Sequence, residues 1–137
     1  MRALVTAFLL AITATVAGAV EEADRAAIHG AIESQIEAFK RDDAAGAFAF
    51  AAPNIRERFG TDERFMAMVR DGYKPVYRPK TYAMGDLKET HVGLTQDVRI
   101  QDAEGEDWTA FYTVERQPDG SWKITGCYLT KASGEQA

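Results

Sequence analysis

The sequence has one cysteine, Cys127, and two histidines, His29 and His91, among its 137 residues. A single cysteine excludes a disulfide within the chain, so the core must hold without a covalent cross-link. The histidines lie far apart, and neither an H-E-x-x-H nor a C-x-x-C spacing occurs, so we predict no metal site. The sequence also lacks a glycine-rich phosphate loop and a G-x-S-x-G motif, and we predict no cofactor.

Positive charge is scarce as well. The chain has 16 Lys and Arg residues against 21 Asp and Glu residues, and its formal net charge is -5. An acidic surface repels phosphate backbones, so nucleic acid is not an expected partner. The composition, 46% apolar and 27% charged, is that of one globular domain. These values exclude a multidomain protein but single out no reaction.

Long apolar runs are absent except near the N-terminus. A short basic start is followed by an apolar run at Ala3–Val16, and Ala17 and Ala19 form the A-x-A pattern of a cleavage site. The run is shorter than the roughly 20 residues that a spanning helix needs. We therefore expect residues 1–19 to be a cleaved signal peptide. The mature protein is expected to be periplasmic or secreted, without stable membrane insertion, and not a lipoprotein because no cysteine follows the cleavage site.

The first half of the remaining chain has the apolar spacing of helices. Between Glu21 and Lys40, isoleucines and a phenylalanine recur every three or four positions, which predicts a long amphipathic helix. Asp42 or Asp43 is placed to cap a short alanine-rich helix. Thr61 is placed to cap a third helix, which is predicted to end at Gly72.

The second half alternates between apolar and polar residues, which predicts strands. The segment Tyr73–Pro79 between the halves is expected to be extended, because residues that precede proline avoid helical conformation. Five strands are predicted, at Thr81–Met84, Leu87–Val92, Leu94–Gln101, Trp108–Val114 and from Ser121 onward. Three helices followed by an antiparallel meander give an α+β fold. The predicted domain spans residues 20–132 and is followed by a polar tail at 133–137.

Four separate strings resemble, in the same order, a bacterial family known as domain of unknown function 4864. They are Gln35–Asp43, Ala47–Pro53, Tyr73–Pro79 and Trp122–Cys127. The resemblance covers nearly all of the chain after residue 19. It implies a fold similar to nuclear transport factor 2, also called SnoaL-like or cystatin-like, in which a strongly curved antiparallel sheet wraps a long helix and encloses a conical pocket. It implies no activity, because that family has none assigned.

The wider superfamily includes ketosteroid isomerases and dehydratases, so an isomerase- or dehydratase-like enzyme is the alternative. An isomerase of this fold needs a carboxylate base and a tyrosine in an oxyanion-binding pair. The position that resembles this tyrosine falls on or near Gln35, and Pro53–Arg56 has no acid where the base is expected. A dehydratase needs a histidine, and His29 and His91 are the only candidates. We predict no catalytic residue and favour a non-catalytic module.

The candidate ligand-binding residues are Gln35, Tyr73, Tyr77, Arg78 and Tyr112. A proline-flanked segment that carries tyrosine hydroxyls and a guanidinium is suited to hold an anionic or aromatic small molecule at the mouth of the cone. Gln35 lies on the helix side that should face the sheet. The alternative is structural: the tyrosines pack against the helices, the arginine pairs with an acid, and the glutamine satisfies a backbone group.

The last strands have apolar residues on both faces. Alternation places Trp108, Tyr112, Trp122 and Ile124 on one face and Phe111, Cys127 and Leu129 on the other. If one face of the sheet were exposed to solvent, apolar and polar residues would alternate along each strand. Because they do not, we expect the second face to be covered as well. In proteins of the fold that the resemblance implies, a second copy of the chain often packs against this face, and we expect a homodimer. The lone cysteine is expected to be a small buried hydrophobe rather than a reactive thiol.

Overall fold

The structure is a computed structural model that describes Ala3 and residues 20–132. The predicted cleavage-site residues Ala17 and Ala19 and the polar tail at 133–137 lie outside the described residues. Within this part of the chain no helix is long and apolar enough to cross a membrane. Five helices precede four strands, in the order α1 (Glu22–Lys40), α2 (Ala44–Phe48), α3 (Pro53–Phe59), α4 (Asp62–Gly72), α5 (Lys74–Tyr77), β1 (Thr81–Thr90), β2 (Gly93–Gln101), β3 (Asp107–Arg116) and β4 (Trp122–Lys131).

The three predicted helices correspond to α1, α2 and α4. In α1 the apolar stripe is buried, as its spacing predicts. Asp43 rather than Asp42 caps α2, since the Gly46 N–H donates to Asp43 Oδ1 at 2.9 Å. Thr61 caps α4 by accepting a hydrogen bond from the Arg64 N–H at 3.2 Å.

Two short helices, α3 and α5, were not expected from the sequence. Pro53 opens α3, and Pro75 lies in the first turn of α5. The extended conformation predicted for Tyr73–Pro79 is therefore wrong. Proline is tolerated in a first helical turn because the N–H that it lacks would have no partner within the helix.

The sheet has four antiparallel strands in the order β1-β2-β3-β4, so the meander is confirmed with one strand fewer than predicted. The two segments predicted at Thr81–Met84 and Leu87–Val92 form a single strand, β1, with a bulge between Met84 and Leu87. The buried Gln96 side chain holds this bulge, because its Nε2 donates to the Gly85 carbonyl at 3.0 Å.

The α+β class is confirmed, but the strongly curved, cone-shaped sheet that the resemblance implies is wrong. The sheet is not strongly curled. Strong curvature needs bulges or glycine kinks repeated across the strands. This sheet has two register irregularities, one in β1 and one where β4 pairs with β3.

The second irregularity reverses the alternation in β4. Thr113 pairs with Gly126, but Val114 pairs with Ile124, so Thr125 is an extra residue in β4. Cys127 therefore lies on the same inner face as Ile124, and the predicted placement on opposite faces is wrong. A bulge inserts one residue and so exchanges the faces of the residues that follow it.

The outer face of the sheet is less apolar than predicted. Leu129 pairs with the buried Ala110 and belongs to the inner face, like the cysteine. Phe111 and Tyr128 remain outside, with their rings stacked 4.8 Å apart. Tyr128 is 49% exposed.

The core lies between the helices and the inner face of the sheet. α1 packs against β4, and the Trp122 indole donates to Asp24 Oδ1 at 3.4 Å. The link between α2 and α3 runs along the outer edge of β4. There the Ile124 N–H donates to the Phe50 carbonyl and its own carbonyl accepts from the Ala52 N–H, both at 2.8 Å.

Candidate functional site

A pocket of about 380 Å³ opens between the helices and the inner face of the sheet. We call it the helix–sheet pocket. Its volume lies within the range of small-molecule sites. Its buried wall consists of Gln35, Phe39, Phe65, Val69, Val76, Tyr112 and Ile124. Exposed or half-buried residues of α3 and β4, together with Met68 and Tyr73, form its rim.

Tyr112 is fully buried at the inner wall of the helix–sheet pocket. Its hydroxyl has no nitrogen or oxygen hydrogen-bond partner within the described residues, and the Cys127 thiol beside it is only a weak partner. Burying a hydroxyl without a partner costs about 1–3 kcal/mol, and folded proteins rarely leave one unpaired. The inner wall therefore presents one polar group whose hydrogen-bonding capacity the fold uses weakly.

Cys127 lies beside Tyr112 as its register partner in β4 and also lines the pocket. Burial raises the pKa of the Cys127 thiol to about 12 and the pKa of the Tyr112 hydroxyl well above its ordinary value. Both groups are therefore neutral near pH 7. A thiol that stays protonated is a poor nucleophile, in line with the unreactive role predicted for this cysteine, but the residue is half-buried rather than buried.

Gln35 is 3% exposed and reaches the pocket from α1. Its Nε2 donates to the Ala47 carbonyl at 3.1 Å, which fixes the side chain against α2. The Oε1 atom accepts no hydrogen bond from a described side chain or backbone group. The amide therefore satisfies a buried carbonyl and contributes a polar surface to the pocket, so the two sequence interpretations of this residue are compatible.

The rim carries the polar and cationic groups of α3. Asn54 is exposed, and its Nδ2 donates to the Thr125 carbonyl at 2.9 Å, which ties α3 to β4. Arg58 is exposed one turn later, with its guanidinium 5.9 Å from the Phe59 ring centroid. It makes no ion pair within the part of the chain that the structure describes. The rim is therefore positively charged.

Three of the five predicted ligand-binding residues, Gln35, Tyr73 and Tyr112, line the helix–sheet pocket together. The other two, Tyr77 and Arg78, do not line it. Both bind Asp42, just beyond the end of α1, so they lie at a different place in the fold.

Tyr77 and Arg78 both bind Asp42. The tyrosine hydroxyl donates to Asp42 Oδ1, and Arg78 Nη2 donates to Oδ2 at 2.8 Å. Arg78 also donates to the Phe39 carbonyl and lies 4.0 Å over the Tyr77 ring. The bond from Tyr77 is the main reason why the pKa of Asp42 is lowered. This cluster anchors α5 to the end of α1, which is the structural role weighed for the arginine.

The pocket contains no acid or base that titrates near neutral pH. No aspartate, glutamate or histidine is among the described residues that line it. His29 Nε2 is hydrogen-bonded to Gln96 Oε1 at 3.0 Å, at the bulge in β1, and His91 is exposed in the turn between β1 and β2. No group of three metal-ligating side chains occurs among the residues that the structure describes.

Sequence reasoning missed the contribution of α3, which supplies Asn54, Ile55, Arg58 and Phe59 to the pocket. The segment was not expected to be helical. One signal was present: a proline in a first turn, followed by residues at positions 54, 55, 58 and 59, has the spacing of one helix face.

The chain matches a family described as Domain of unknown function (DUF4864) over residues 21–137. This match covers every element of the fold and every residue of the helix–sheet pocket. No curated protein and no solved structure matches the chain.

Proposed function

The chain belongs to the family described as Domain of unknown function (DUF4864), and we propose that its function is to bind a small molecule. The binding site in this proposal is the helix–sheet pocket. The observation that carries it is Tyr112, a fully buried residue of the pocket wall whose hydroxyl lacks a nitrogen or oxygen partner within the described residues. A bound molecule would supply that partner and offset the cost of burying the hydroxyl.

The pocket chemistry favours binding over catalysis. General acid–base catalysis near neutral pH needs a group whose pKa lies near the working pH. The lining residues include no carboxylate or imidazole, and the pKa of Cys127 is raised to about 12 by burial. An isomerase or dehydratase would therefore lack its base in this pocket, and no specific observation favours the enzymatic alternative.

The test is native mass spectrometry of the mature protein, before and after denaturation. We expect a retained mass that disappears when the protein is denatured. A Met68→Trp variant, which adds an indole inside the pocket, should lose the retained mass. Ser34→Trp adds the same indole at an exposed residue of α1 outside the pocket, and it should keep the mass.

Fluorescence of 1-anilinonaphthalene-8-sulfonate, an aromatic anion, gives an independent measure of binding. The dye should bind the folded wild type and Ser34→Trp and bind Met68→Trp much more weakly. Thermal unfolding shows whether each variant is folded. Wild type that carries no retained mass and gives no saturable dye signal would overturn the proposal.

We also propose that the protein is exported and that its signal peptide is removed after Ala19. The pattern at residues 1–19 supports this proposal, and the family match begins at residue 21. The denatured mass of protein isolated from the periplasm measures the cleavage site directly. A full-length mass, or recovery only from the cytoplasm, would contradict export.

We further propose that the outer face of the sheet pairs with a second copy of the chain. The stacked Phe111 and Tyr128 rings and the exposed Val92 give this face an apolar patch. Arg99 and Glu115 give it charges of both signs, which a two-fold axis can pair. Sedimentation between about 100 and 1 µM should show a dimer that dissociates on dilution, and Tyr128→Ser should weaken it. A monomeric mass at every concentration would contradict the dimer.

A further inference from the structure

We infer that the helix–sheet pocket binds an amphiphile with an apolar body, a neutral carbonyl-type acceptor at its inner end and a carboxylate at its outer end. This inference rests on the proposed function and specifies the chemistry of the occupant. It follows from three features of the pocket, which are its inner hydroxyl, its apolar wall and its cationic rim.

The inner end of the pocket calls for a hydrogen-bond acceptor. The Tyr112 hydroxyl has a proton to donate and no nitrogen or oxygen acceptor within the described residues, and the Cys127 thiol beside it is a weak hydrogen-bond partner. Tyr112 is fully buried and Gln35 is 3% exposed, so both belong to the buried wall of the pocket, which we call its inner end. An oxygen of the occupant that reaches this hydroxyl would be a stronger acceptor than the thiol.

That acceptor has to be neutral. Among the described residues that line the pocket, Arg58 is the only cationic one, and it is exposed. A carboxylate at the inner end would be buried without a counter-ion, which is strongly unfavourable. A ketone, ester or amide carbonyl accepts the same hydrogen bond without that penalty.

The middle of the pocket takes an apolar body. Phe39, Phe65, Val69 and Val76 form a continuous buried wall opposite the sheet. Three phenylalanine rings meet here, since the Phe65 ring is 6.0 Å from Phe39 and 5.8 Å from Phe59. An aromatic ring in the occupant would pack edge-to-face or offset against them at such distances.

The rim takes the negative charge. Arg58 is exposed beside Phe59 and has no ion pair with a described residue. Asn54 lies on the same side of α3, one turn before it. A carboxylate at this position would keep contact with water and meet the guanidinium, which suits an exposed ion pair.

Matched probes test the carbonyl and the carboxylate of the proposed occupant separately. 4-Acetylbenzoate and the longer 4-(4-acetylphenyl)butanoate carry a ketone and a carboxylate at opposite ends of an aromatic body. 4-Isopropylbenzoate and 4-(4-isopropylphenyl)butanoate replace the carbonyl oxygen by a methyl group, and 4-methylacetophenone lacks the carboxylate. We expect the better-fitting ketoacid to bind about fivefold more tightly than its isopropyl analogue, since the extra hydrogen bond is worth about 1 kcal/mol.

Two variants assign the ends to residues. In Tyr112→Phe the ketoacid and its isopropyl analogue should bind with equal affinity. Without a ligand, this variant should be more stable than the wild type because it buries no unpaired hydroxyl. Arg58→Gln should weaken both acids about two- to fivefold and leave 4-methylacetophenone unchanged. Arg64→Gln removes the same charge at an exposed residue of α4 outside the pocket, and it should leave all probes unchanged.

The outcomes distinguish the inference from the proposal on which it rests. If ketoacids and isopropyl acids bind equally, or if Tyr112→Phe weakens both alike, the inner-carbonyl assignment is wrong while binding stands. If Arg58→Gln and Arg64→Gln act alike, the rim assignment is wrong. If neither these probes nor 1-anilinonaphthalene-8-sulfonate bind the folded wild type, the proposed function itself fails.

Discussion

Gly30 and Gly46 both lie inside helices, but a methyl group added to each would meet different surroundings. At Gly30 a Cβ atom meets no other atom within 4 Å, whereas at Gly46 it would lie 2.3 Å from Asp43 Oδ2. That carboxylate caps α2, so the close approach requires a residue without a side chain.

We therefore expect opposite effects from the same substitution. Gly30→Ala should raise the free energy of unfolding by about 0.5–1 kcal/mol, because alanine loses less backbone entropy in a helix. Gly46→Ala should lower it by about 1 kcal/mol, the typical value of an N-cap. Urea denaturation of the two variants measures both changes. Stabilisation by Gly46→Ala would mean that the Asp43 cap contributes little.

Asp42 shows how one residue can set the direction of the chain after a helix. It is the only non-glycine residue with a positive φ, +54°, within the described part of the chain. Aspartate tolerates this conformation better than most residues. Its carboxylate then binds Tyr77 and Arg78, so the reversal after α1 and the position of α5 depend on the same side chain. The sequence suggested Asp42 as a possible helix cap and put Tyr77 and Arg78 in an extended segment, so it gave no means of pairing them.

Among the elements, the turn between β2 and β3 depends on a carboxylate. Asp102 is buried and accepts hydrogen bonds from the Trp108 indole at 2.8 Å and from the Glu106 and Glu104 N–H groups at 2.8 and 3.0 Å. The indole is the main reason why the pKa of Asp102 lies below its ordinary value. Folding therefore favours the ionised carboxylate.

This arrangement predicts a pH dependence of stability. The contribution of Asp102 is complete above its unfolded pKa of about 3.9 and is lost as the pH falls through the lower folded value. Asp102→Asn should lower the thermal midpoint at pH 7, and the difference from wild type should shrink below about pH 4. Asp107→Asn, at an exposed residue beside the same turn, is the control. A difference that stays constant down to pH 2 would contradict the assignment.

The long elements were predictable from the sequence and the short ones were not. α1 and α4 show several turns of apolar spacing, and their ends carry recognisable signals. α3 and α5 have seven and four residues, too few for a period to emerge. No sequence signal marks the bulge at Thr125 either, yet this bulge turns Cys127 to the inner face, where it lines the pocket. Alternation alone cannot locate an inserted residue.

At the scale of the whole molecule, the α+β class and the strand order followed from the order of the periodic segments. The curvature of the sheet did not, because it depends on bulges and their spacing rather than on composition. The helix–sheet pocket draws residues from four helices and two strands. Gln35 and Tyr112 could be chosen as polar residues on apolar faces, but their meeting at one wall is a property of the packed structure.

The packing of α1 against β4 brings the beginning and the end of the described chain together. The bond between Trp122 and Asp24 joins residues 98 positions apart. The hairpins of the sheet pair neighbours in the sequence and can form early. The long helix contacts α2 and α5, which follow it closely, and also β4, which is made last. The part of its apolar stripe that faces β4 therefore stays uncovered during synthesis until the last strand has been made. A truncated product that lacks β4 would leave this part of the stripe exposed to chaperones and proteases.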